Sequence, residues 1–323
     1  MTAHDERLDH VIAVLAPIAE RKAALAPLTT YRVGGSAAVL VKPRDRDDLE
    51  HLADVVAATG LPVLVVGRGS NLLVADTGFP GIAISLAELA ATHRIEGDQV
   101  VAGAAVALPQ LARQVVATGL AGFEWAVGVP GSVGGAVRMN AGGHGGDIAT
   151  CLVDVDLFDI RLARGGRVDV SRLGLHFRGS ELAAHQIVLD ARIQLRAGDR
   201  LASEQELNEI VRWRREHQPG GQNAGSVFVN PIPGELSAGE LIDRCGLRGF
   251  VLGSASVSSK HANFIQGSDG GSAADVVALI EHVRRRVADE TGFLLRSEVR
   301  LIGFANDAGE VLAVADDGPG IAL

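Results

Sequence analysis

The segment 128–146, GVPGSVGGAVRMNAGGHGG, constrains the fold more than any other, because it holds eight glycines in nineteen positions. A flexible spacer built of glycine and serine would also be glycine-rich. Here, however, the glycines alternate with Val129, Val133, Val137 and Met139, which are side chains that pack. Glycine permits positive φ angles and close approach of the backbone to a ligand. The segment therefore predicts packed loops against which a ligand could lie.

Two further loops of this kind occur in the first 150 residues. GRGSNLLVAD (67–76) follows a buried-strand pattern, but Leu72 stands where a dinucleotide fingerprint requires its third glycine, and no Gly-Lys-Ser/Thr motif is present. TTYRVGGSA (29–37) adds Arg32. Rows of free backbone amides in such loops can cradle a phosphate. Three such loops suit a large phosphorylated ligand with two ends. The residues leave open the alternative that the loops are only turns of a fold that tolerates glycine.

Composition excludes several classes of protein. The net charge of −9 over 323 residues argues against a nucleic-acid groove, which needs a basic surface. Cys151 and Cys245 are far apart in sequence, and no His-Glu-x-x-His or Cys-x-x-Cys occurs, so neither a disulfide framework nor a metal site is expected. No apolar run approaches the roughly 20 residues of a membrane span, and the charged N-terminal segment is unlike a signal peptide. We expect a cytoplasmic protein that binds no metal, nucleic acid or membrane.

The first two hundred residues alternate strand and helix patterns. AVLVKP (38–43), RDDLEHLADVVAATG (46–60) and LPVLVVG (61–67) predict a strand, a helix that stops at Gly60, and a second buried strand. This order indicates a βαβ-like unit with parallel strands. Further elements are predicted as strands at 99–108, 152–160 and 185–195 and a helix at 108–120.

A polar break at 196–200 marks the predicted domain boundary, with a first domain at 1–200 and a second at 201–323. Two domains are expected for this length. Serine capping signatures predict the starts of the second domain's helices. These helices are predicted at 203–217 (Ser203 with Glu206), 237–246 (Ser237 with Glu240) and 272–292 (Ser272 with Asp275), and a strand at 293–304.

Three side chains are candidates for chemistry. Ser226 lies in QNAGSVFVNP (222–231), which lacks the Gly-x-Ser-x-Gly pattern of a nucleophile, so it is either a turn hydroxyl or a proton donor. Glu298 alternates with Arg296 and Arg300 in LLRSEVRL and would share one strand face with them, either as a solvated charged face or beside an anionic substrate. Arg178 in GLHFRGSEL is a weak signal by itself.

Together, these motifs resemble the UDP-N-acetylenolpyruvoylglucosamine reductases of peptidoglycan precursor synthesis, the MurB family. The resemblance covers residues 29–303 and is carried by TTYRVGGSA, VVGRGSNLLVAD, GFEWAVGVPGSVGGAVRMNAGGHGGDI, FRGSEL, HQPGGQNAGSVFVNP, SSKHANFIQ and LLRSEVRLIG, in that order. It implies an α+β protein. An FAD-binding region of the vanillyl-alcohol-oxidase (PCMH) type, with lobes at about 1–85 and 86–200, would be followed by a substrate-binding domain at 201–323.

The resemblance also implies the reaction. NADPH reduces non-covalently bound FAD, the flavin N5 passes a hydride to the enolpyruvyl group of the UDP-sugar, and Ser226 protonates the resulting carbanion. Arg178 and Glu298 polarise the substrate carboxylate. The implied FAD contacts are Tyr31, Arg32, Val33, Gly34, Gly35, Ser36, Gly67, Arg68, Gly69, Ser70, Asn71, Gly131, Ser132 and Gly135. The implied substrate contacts are Arg214, His217, Asn230 and Arg300.

The chain departs from the family pattern at three positions. Phe177 stands where tyrosine is usual, and His217 and Val229 stand where lysine is common. It resembles the shorter subclass of the family, and we expect a monomer. Two alternatives remain: a flavin oxidase or reductase of the same fold with another substrate, and a non-catalytic relative that binds FAD or a nucleotide sugar.

Overall fold

The computed structural model describes residues 2–304, 319–321 and 323. Its α-helices are α1 (Ala3–Leu15), α2 (Arg46–Thr59), α3 (Leu108–Ala117), α4 (Val133–Met139), α5 (Arg200–His217), α6 (Ala238–Arg244) and α7 (Ala273–Thr291). The strands of the first half are β1 (Ala19–Arg21), β2 (Ala37–Val41), β3 (Val63–Val65), β4 (Leu72–Val74), β5 (Phe79–Ile84), β6 (His93–Glu96), β7 (Gln99–Gly103), β8 (Leu120–Ala121), β9 (Gly142–Gly143) and β10 (Gly146–Asp147). Those that follow are β11 (Leu152–Asp159), β12 (Arg164–Asp169), β13 (Gln186–Gln194), β14 (Arg196–Ala197), β15 (Val251–Leu252), β16 (Ala255–Val257), β17 (Ile265–Gly267) and β18 (Arg300–Ile302).

The first lobe is a four-stranded sheet in the order β1-β2-β5-β3. Strands β2 and β3 both pair in parallel with β5, which lies between them, and α2 connects β2 to β3. Asp45 caps the start of α2, and Gly60 ends it in the left-handed conformation. The predicted βαβ unit and its glycine stop are therefore confirmed, with β5 inserted into the middle of the sheet.

The second lobe is an antiparallel sheet in the order β12-β11-β13-β7-β6. The strands predicted at 99–108, 152–160 and 185–195 appear as β7, β11 and β13, and the helix predicted at 108–120 appears as α3. One continuous apolar core joins the facing sides of both lobes, from Leu52 of α2 to Phe158 of β11. Parallel and antiparallel sheets with separate helices confirm the predicted α+β class.

The C-terminal unit has its own core, built on α6, α7 and the three-stranded sheet β15-β16-β17. Ser237 and Ser272 cap α6 and α7 as predicted, and Gly292 ends α7 in the left-handed conformation. Tyr31 and Val33 from the first lobe are buried in this second core. The unit is therefore packed directly against the loop that precedes β2.

Several predicted elements were wrong in their bounds, and the strand predicted at 99–108, for example, ends at Gly103. Helix α5 begins at Arg200 and is capped by Asp199, because the Ser203 hydroxyl is buried inside the helix and donates instead to Glu124 Oε1 at 2.6 Å. The strand predicted at 293–304 is regular only over β18, which pairs in parallel with β4 of the first lobe. The residues before β18 cross from the second core to the first lobe and hydrogen-bond to loops on the way.

The boundary predicted at residue 200 stays a prediction. Leu207 and Ile210 of α5 are buried in the first core, whereas the second core takes up the chain from Ala224 onward. Residues 305–318 of the domain predicted at 201–323 lie outside the described residues. In the part of the chain that the structure covers, no helix is long and apolar enough to cross a membrane.

Candidate active site

A cavity of about 480 Å³ lies where the two lobes and the C-terminal unit meet. Its volume is within the range of about 300–1,000 Å³ typical of ligand pockets. The predicted site residues that line it are Gly67, Arg68, Gly69, Ser70, Asn71, Gly131, Ser132, Gly135, Arg178, Arg214, Ser226, Glu298 and Arg300. The fold therefore brings two of the three glycine loops, all three catalytic candidates and two predicted substrate contacts to one space.

The glycine loops 67–71 and 131–135 form one wall of this cavity. At Gly67, an added Cβ would lie 2.6 Å from Ser132 Oγ, so the two loops touch and a larger residue would displace the serine hydroxyl. Gly69 has φ +58°, and a Cβ there would lie 2.2 Å from the carbonyl oxygen of Leu28. The glycines thus allow the two loops and the chain at Leu28 to pack closely together, and both loops line the cavity, where backbone amides can hold a diphosphate. The residues present fit a dinucleotide cofactor such as FAD.

The third glycine loop is placed differently. All six residues from Tyr31 to Ser36 are described, and they lie outside the cavity lining, which the preceding Thr30 joins. Tyr31 and Val33 are buried in the second core, Arg32 is exposed, and Ser36 forms an isolated bridge with Ala24. Gly34 (φ +101°) is required for packing, because a Cβ there would lie 2.2 Å from Val74 O of β4. The structure therefore gives this loop a packing role, and the cofactor contacts of Tyr31, Arg32, Val33, Gly34, Gly35 and Ser36 stay predictions.

Ser226 and Glu298 lie on neighbouring chain segments. Glu298 N donates to Val227 O at 2.7 Å, and Val229 N donates to Arg296 O at 2.9 Å. The buried side chain of Asn263 holds the same segment, since it accepts from Phe228 N and donates to Phe228 O. These bonds place residues 226 and 298 at the same cavity wall although seventy-two positions separate them in sequence.

Arg178 forms an ion pair with Glu298, with 3.1 Å between Nε and Oε2. The contact has the distance of an ion pair but not the angle of a hydrogen bond, and Nη1 of Arg178 donates to Gly142 O at 2.9 Å. Burial raises the pKa of Glu298 above its ordinary value, and Arg178 and Arg296 act in the opposite direction. A carboxyl in this setting is more readily protonated than an exposed one.

The predicted substrate contacts divide into two groups. Arg214 and Arg300 line the cavity. His217 is exposed, and its ring stacks on Trp213 at 4.7 Å between ring centroids, with Nδ1 2.8 Å from Trp213 O. Asn230 is also exposed, and its Oδ1 accepts from Ala238 N at the start of α6. His217 and Asn230 are therefore outside the cavity lining, and their substrate contacts stay predictions.

Sequence reasoning missed four polar residues of the lining, Thr30, Arg138, Gln218 and Asn223. Arg138 donates to the carbonyl oxygens of Leu182, Ala183 and Gln186, so it fixes the chain that follows Arg178. A lone cation inside the glycine-rich segment was the available signal for Arg138. Gln218 directly follows the last turn of α5. Arg214, a predicted substrate contact in that turn, was the available signal for Gln218.

Comparison with known proteins shows the class of protein to which the chain belongs. A family model described as "FAD binding domain" matches residues 37–170, which span the first strand of the βαβ unit, both cavity-lining glycine loops and most of the second sheet. With the cradle described above, this match makes the chain a flavoprotein of the FAD-binding oxidoreductase class. The fold expected from the resemblance is confirmed.

A second family model, "UDP-N-acetylenolpyruvoylglucosamine reductase, C-terminal domain", matches residues 217–302. A protein named UDP-N-acetylenolpyruvoylglucosamine reductase from Heliobacterium modesticaldum is 46% identical over 85% of this chain and 88% of its own length. A protein of the same name from Bacillus subtilis is 37% identical over 86% of this chain and 92% of its own length. The crystal structure of the reductase (MurB) from Thermus caldophilus superposes with a TM-score of 0.76 at 36% identity, covering 87% of this chain and 98% of that one. The chain belongs to the UDP-N-acetylenolpyruvoylglucosamine reductase family.

Proposed function

We propose that the protein reduces the enolpyruvyl group of UDP-N-acetylglucosamine enolpyruvate to give UDP-N-acetylmuramate, a step of peptidoglycan precursor synthesis. NADPH is the proposed electron donor and FAD the proposed non-covalent cofactor. The observation that carries the proposal is the convergence of Ser226, Arg178 and Glu298 on a cavity that two glycine loops also line. This arrangement combines a cofactor cradle with groups suited to an α,β-unsaturated carboxylate.

Bound and reduced, FAD supplies the hydride that the enolpyruvyl double bond takes up. Ser226 donates the proton that completes the reduction at the adjacent carbon, which has carbanion character beside the substrate carboxylate. Arg178, held 3.1 Å from Glu298, provides positive charge for that carboxylate as electron density moves onto it. Donors aimed in advance at developing charge act mainly on the transition state.

Glu298 has a second use in this proposal. Its raised pKa makes the protonated carboxyl more accessible near neutral pH than that of an exposed glutamate. A protonated carboxyl can donate a hydrogen bond to an enolate oxygen, which an ionised one cannot. Glu298 would then share the stabilisation of the enolate with Arg178.

The remaining contacts follow the walls of the cavity. The loops 67–71 and 131–135 are proposed to hold the FAD diphosphate through their backbone amides, and the loop 31–36 to continue this contact beyond Thr30. Arg214 and Arg300 supply cations for the UDP diphosphate from opposite parts of the C-terminal chain. In this proposal, His217 and Asn230 contact the substrate only if its binding draws their segments toward the cavity. The protein is proposed to act as a monomer, in the cytoplasm.

The decisive experiment is a visible absorption spectrum of the purified protein, followed under anaerobic conditions by NADPH and then by the enolpyruvyl UDP-sugar. We expect a flavin spectrum that NADPH bleaches and that returns only when the enolpyruvyl substrate is added. A flavin that substrate fails to reoxidise would contradict the proposed substrate. A colourless protein that FAD does not reconstitute would contradict every flavoenzyme hypothesis and leave the non-catalytic one.

Ser226→Ala tests the proton donor. We expect NADPH to reduce the flavin at the wild-type rate, whereas product formation slows about a hundred- to ten-thousand-fold, the usual contribution of a general acid. Rapid-mixing absorbance separates the two half-reactions. Ser256→Ala, in β16 and away from the cavity lining, is the matched control. Unchanged turnover in Ser226→Ala would remove this hydroxyl from the mechanism.

A further inference from the structure

Arg178 sits in a strained turn. The turn HFRG, residues 176–179, is closed by two backbone hydrogen bonds, His176 N to Gly179 O at 3.0 Å and Gly179 N to His176 O at 3.1 Å. Inside it, Arg178 has φ +60°, a left-handed conformation that long side chains rarely adopt. Such a conformation persists only when the surrounding structure over-determines it. The turn therefore needs an external support.

The side chain of Asn140 supplies that support. Its Nδ2 donates to His176 O at 3.1 Å, the same carbonyl that closes the turn, and its Oδ1 accepts from Ala149 N at 3.2 Å. Asn140 is buried and ends α4 with φ 39° and ψ 56°, a conformation that asparagine tolerates better than most residues. The amide group thus bridges the end of α4, the loop before β11 and the Arg178 turn.

The carbonyl group that accepts a hydrogen bond from Arg178 lies close to Asn140 in the chain. Arg178 Nη1 donates to the carbonyl of Gly142, only two positions beyond Asn140 in the chain. Asn140 therefore holds the turn from which the guanidinium extends and lies close in the chain to the carbonyl that accepts from it. On the other side of the turn, Ser180 Oγ donates to Arg138 O at 2.8 Å. The ring of His176 also contacts Gly174 O, and Asn140 holds the backbone carbonyl of the same residue from outside the turn.

We propose that Asn140 is a positioning residue for Arg178, and that it sets the geometry of the Arg178–Glu298 pair without contacting the substrate. Asn140 lies outside the cavity lining, which supports an indirect role. This inference rests on the proposed function, because it assigns Asn140 to the half-reaction in which the substrate carboxylate meets Arg178. A displacement of about 1 Å in a reacting group can cost on the order of a hundredfold in rate.

The test is Asn140→Gly, which keeps the left-handed backbone and removes both side-chain hydrogen bonds. We expect reoxidation of the reduced flavin by the enolpyruvyl UDP-sugar to slow about ten- to a hundredfold, with the rate of flavin reduction by NADPH unchanged. Thr150→Val is the matched control. It is also neutral, and it removes a side-chain bond of the same loop, Thr150 Oγ1 to Asp147 O, that does not touch the turn. This control should leave both half-reactions unchanged.

A second readout is independent of catalysis. Hydrogen exchange of the peptide spanning the turn reports on the amides of His176 and Gly179, which bond each other's carbonyls. These amides should lose protection in Asn140→Gly and keep it in Thr150→Val. If the wild-type protein shows no substrate-dependent reoxidation, the proposed function fails, and the exchange data still decide whether Asn140 holds the turn.

Three results would overturn the inference. The first is wild-type protection of the turn in Asn140→Gly, and the second is wild-type reoxidation by substrate. The third is an equal loss in both half-reactions together with a lower melting temperature, which would make Asn140 a purely structural residue. If Asn140→Gly does not fold, Asn140→Asp replaces it, since aspartate keeps the Oδ1 acceptor for Ala149 N and loses the donor to His176 O. The same outcomes apply to it.

Discussion

Arg214 and His217 lie three residues apart on α5, yet only Arg214 reaches the cavity. Gln218, the extended residue that ends α5, lines the cavity with Arg214. Positions 214 and 217 are neighbours on the helix surface, so the direction of each side chain decides which of them reaches the cavity. Positions 213 and 217 form the neighbouring stripe, where the two rings stack on each other instead. Burial lowers the pKa of Arg214, but a guanidinium stays charged at neutral pH. The diphosphate contact is thus better suited to the arginine.

Removing each side chain in turn separates the two candidates. Arg214→Ala should raise the KM for the enolpyruvyl UDP-sugar about ten- to a hundredfold, because a hydrogen bond to a charged group is lost. His217→Ala should leave the KM close to the wild-type value, and that KM should stay flat from about pH 5.5 to 8, across the usual titration of histidine. Steady-state kinetics at several pH values give both results. A KM that rises with pH only when His217 is present would assign the contact to the histidine.

Glu298 makes stability depend on pH. Burial raises its pKa above the ordinary value of 4.5, so the folded protein binds the proton more tightly than the unfolded chain does. Stability gained in this way is fully present below the ordinary pKa and is lost as the pH rises through the raised value. Cofactor-free wild type should therefore lose stability relative to Glu298→Gln as the pH rises above the ordinary pKa of 4.5.

Urea denaturation of both proteins across this pH range measures the difference in free energy of unfolding. A difference that stays constant, or that grows in favour of the wild type as pH rises, would show that Arg178 and Arg296 outweigh burial and hold the pKa of Glu298 at or below its ordinary value. The comparison of two variants cancels the titration of all other groups, provided that they are not coupled to residue 298.

The catalytic candidates could be predicted from the sequence, but not every residue that lies beside them in the cavity. Ser226, Arg178 and Glu298 were found by motif, and the structure brings them to one cavity. Asn230 belongs to the same motif as Ser226, but its side chain accepts a hydrogen bond from Ala238 N at the start of α6 instead of lining the cavity. A motif specifies which residues occur together in sequence, whereas side-chain direction depends on the local backbone.

At the scale of elements, the start of α7 links the C-terminal unit to the first lobe. Ser272 caps the helix from within its own segment, through a bond from Asp275 N. Asp76, after β4, accepts from Ala273 N and Ala274 N, each at 2.9 Å. One helix terminus therefore has a local cap, visible as a sequence signature, and a distant one that no local pattern indicates. Acidic groups at this end also complement the helix dipole.

Removing each cap should separate helix stability from the attachment of the C-terminal unit. Ser272→Ala and Asp76→Ala should each lower the free energy of unfolding by about 1 kcal/mol, the typical worth of a cap. Only Asp76→Ala should also raise the KM for the UDP-sugar, because it releases the C-terminal wall of the cavity from the first lobe. Denaturation curves and substrate titrations of both variants provide the test. Equal kinetic effects would mean that the link between the units does not depend on Asp76.

For the whole molecule, the cavity is the meeting point of segments that are remote in sequence. Loops 67–71 and 131–135 come from different lobes, and Ser226 and Glu298 come from the C-terminal unit. The parallel pairing of β18 with β4 and the bond from Asn71 Nδ2 to Glu298 O at 2.9 Å join the last of these segments to the first lobe. A ligand in this cavity therefore contacts every unit of the fold.

Cofactor loading should accordingly stabilise the whole chain. FAD at about a hundred times its Kd should add about 2.7 kcal/mol to the free energy of unfolding. Gly69→Ala should abolish this gain, because φ +58° and a Cβ 2.2 Å from Leu28 O force the loop to shift. Gly143→Ala is the matched control, since a Cβ at this position meets open space. Melting curves with and without FAD, and the flavin content per chain, give the result, and a Gly69→Ala variant that retains flavin would contradict the cradle.

The sequence by itself determined the position of the main helices and strands, although not all of their bounds, the three glycine-rich loops, and the family whose chemistry the motifs match. These properties depend on local backbone preference and on apolar periodicity, which are written in adjacent residues. Only the tertiary structure decided that the loop at Tyr31 is packed into the second core, that Ser203 lies inside α5, and that Asn140 holds the Arg178 turn. Those outcomes depend on contacts between segments far apart in the chain, where burial and hydrogen-bond partners are set by the whole fold.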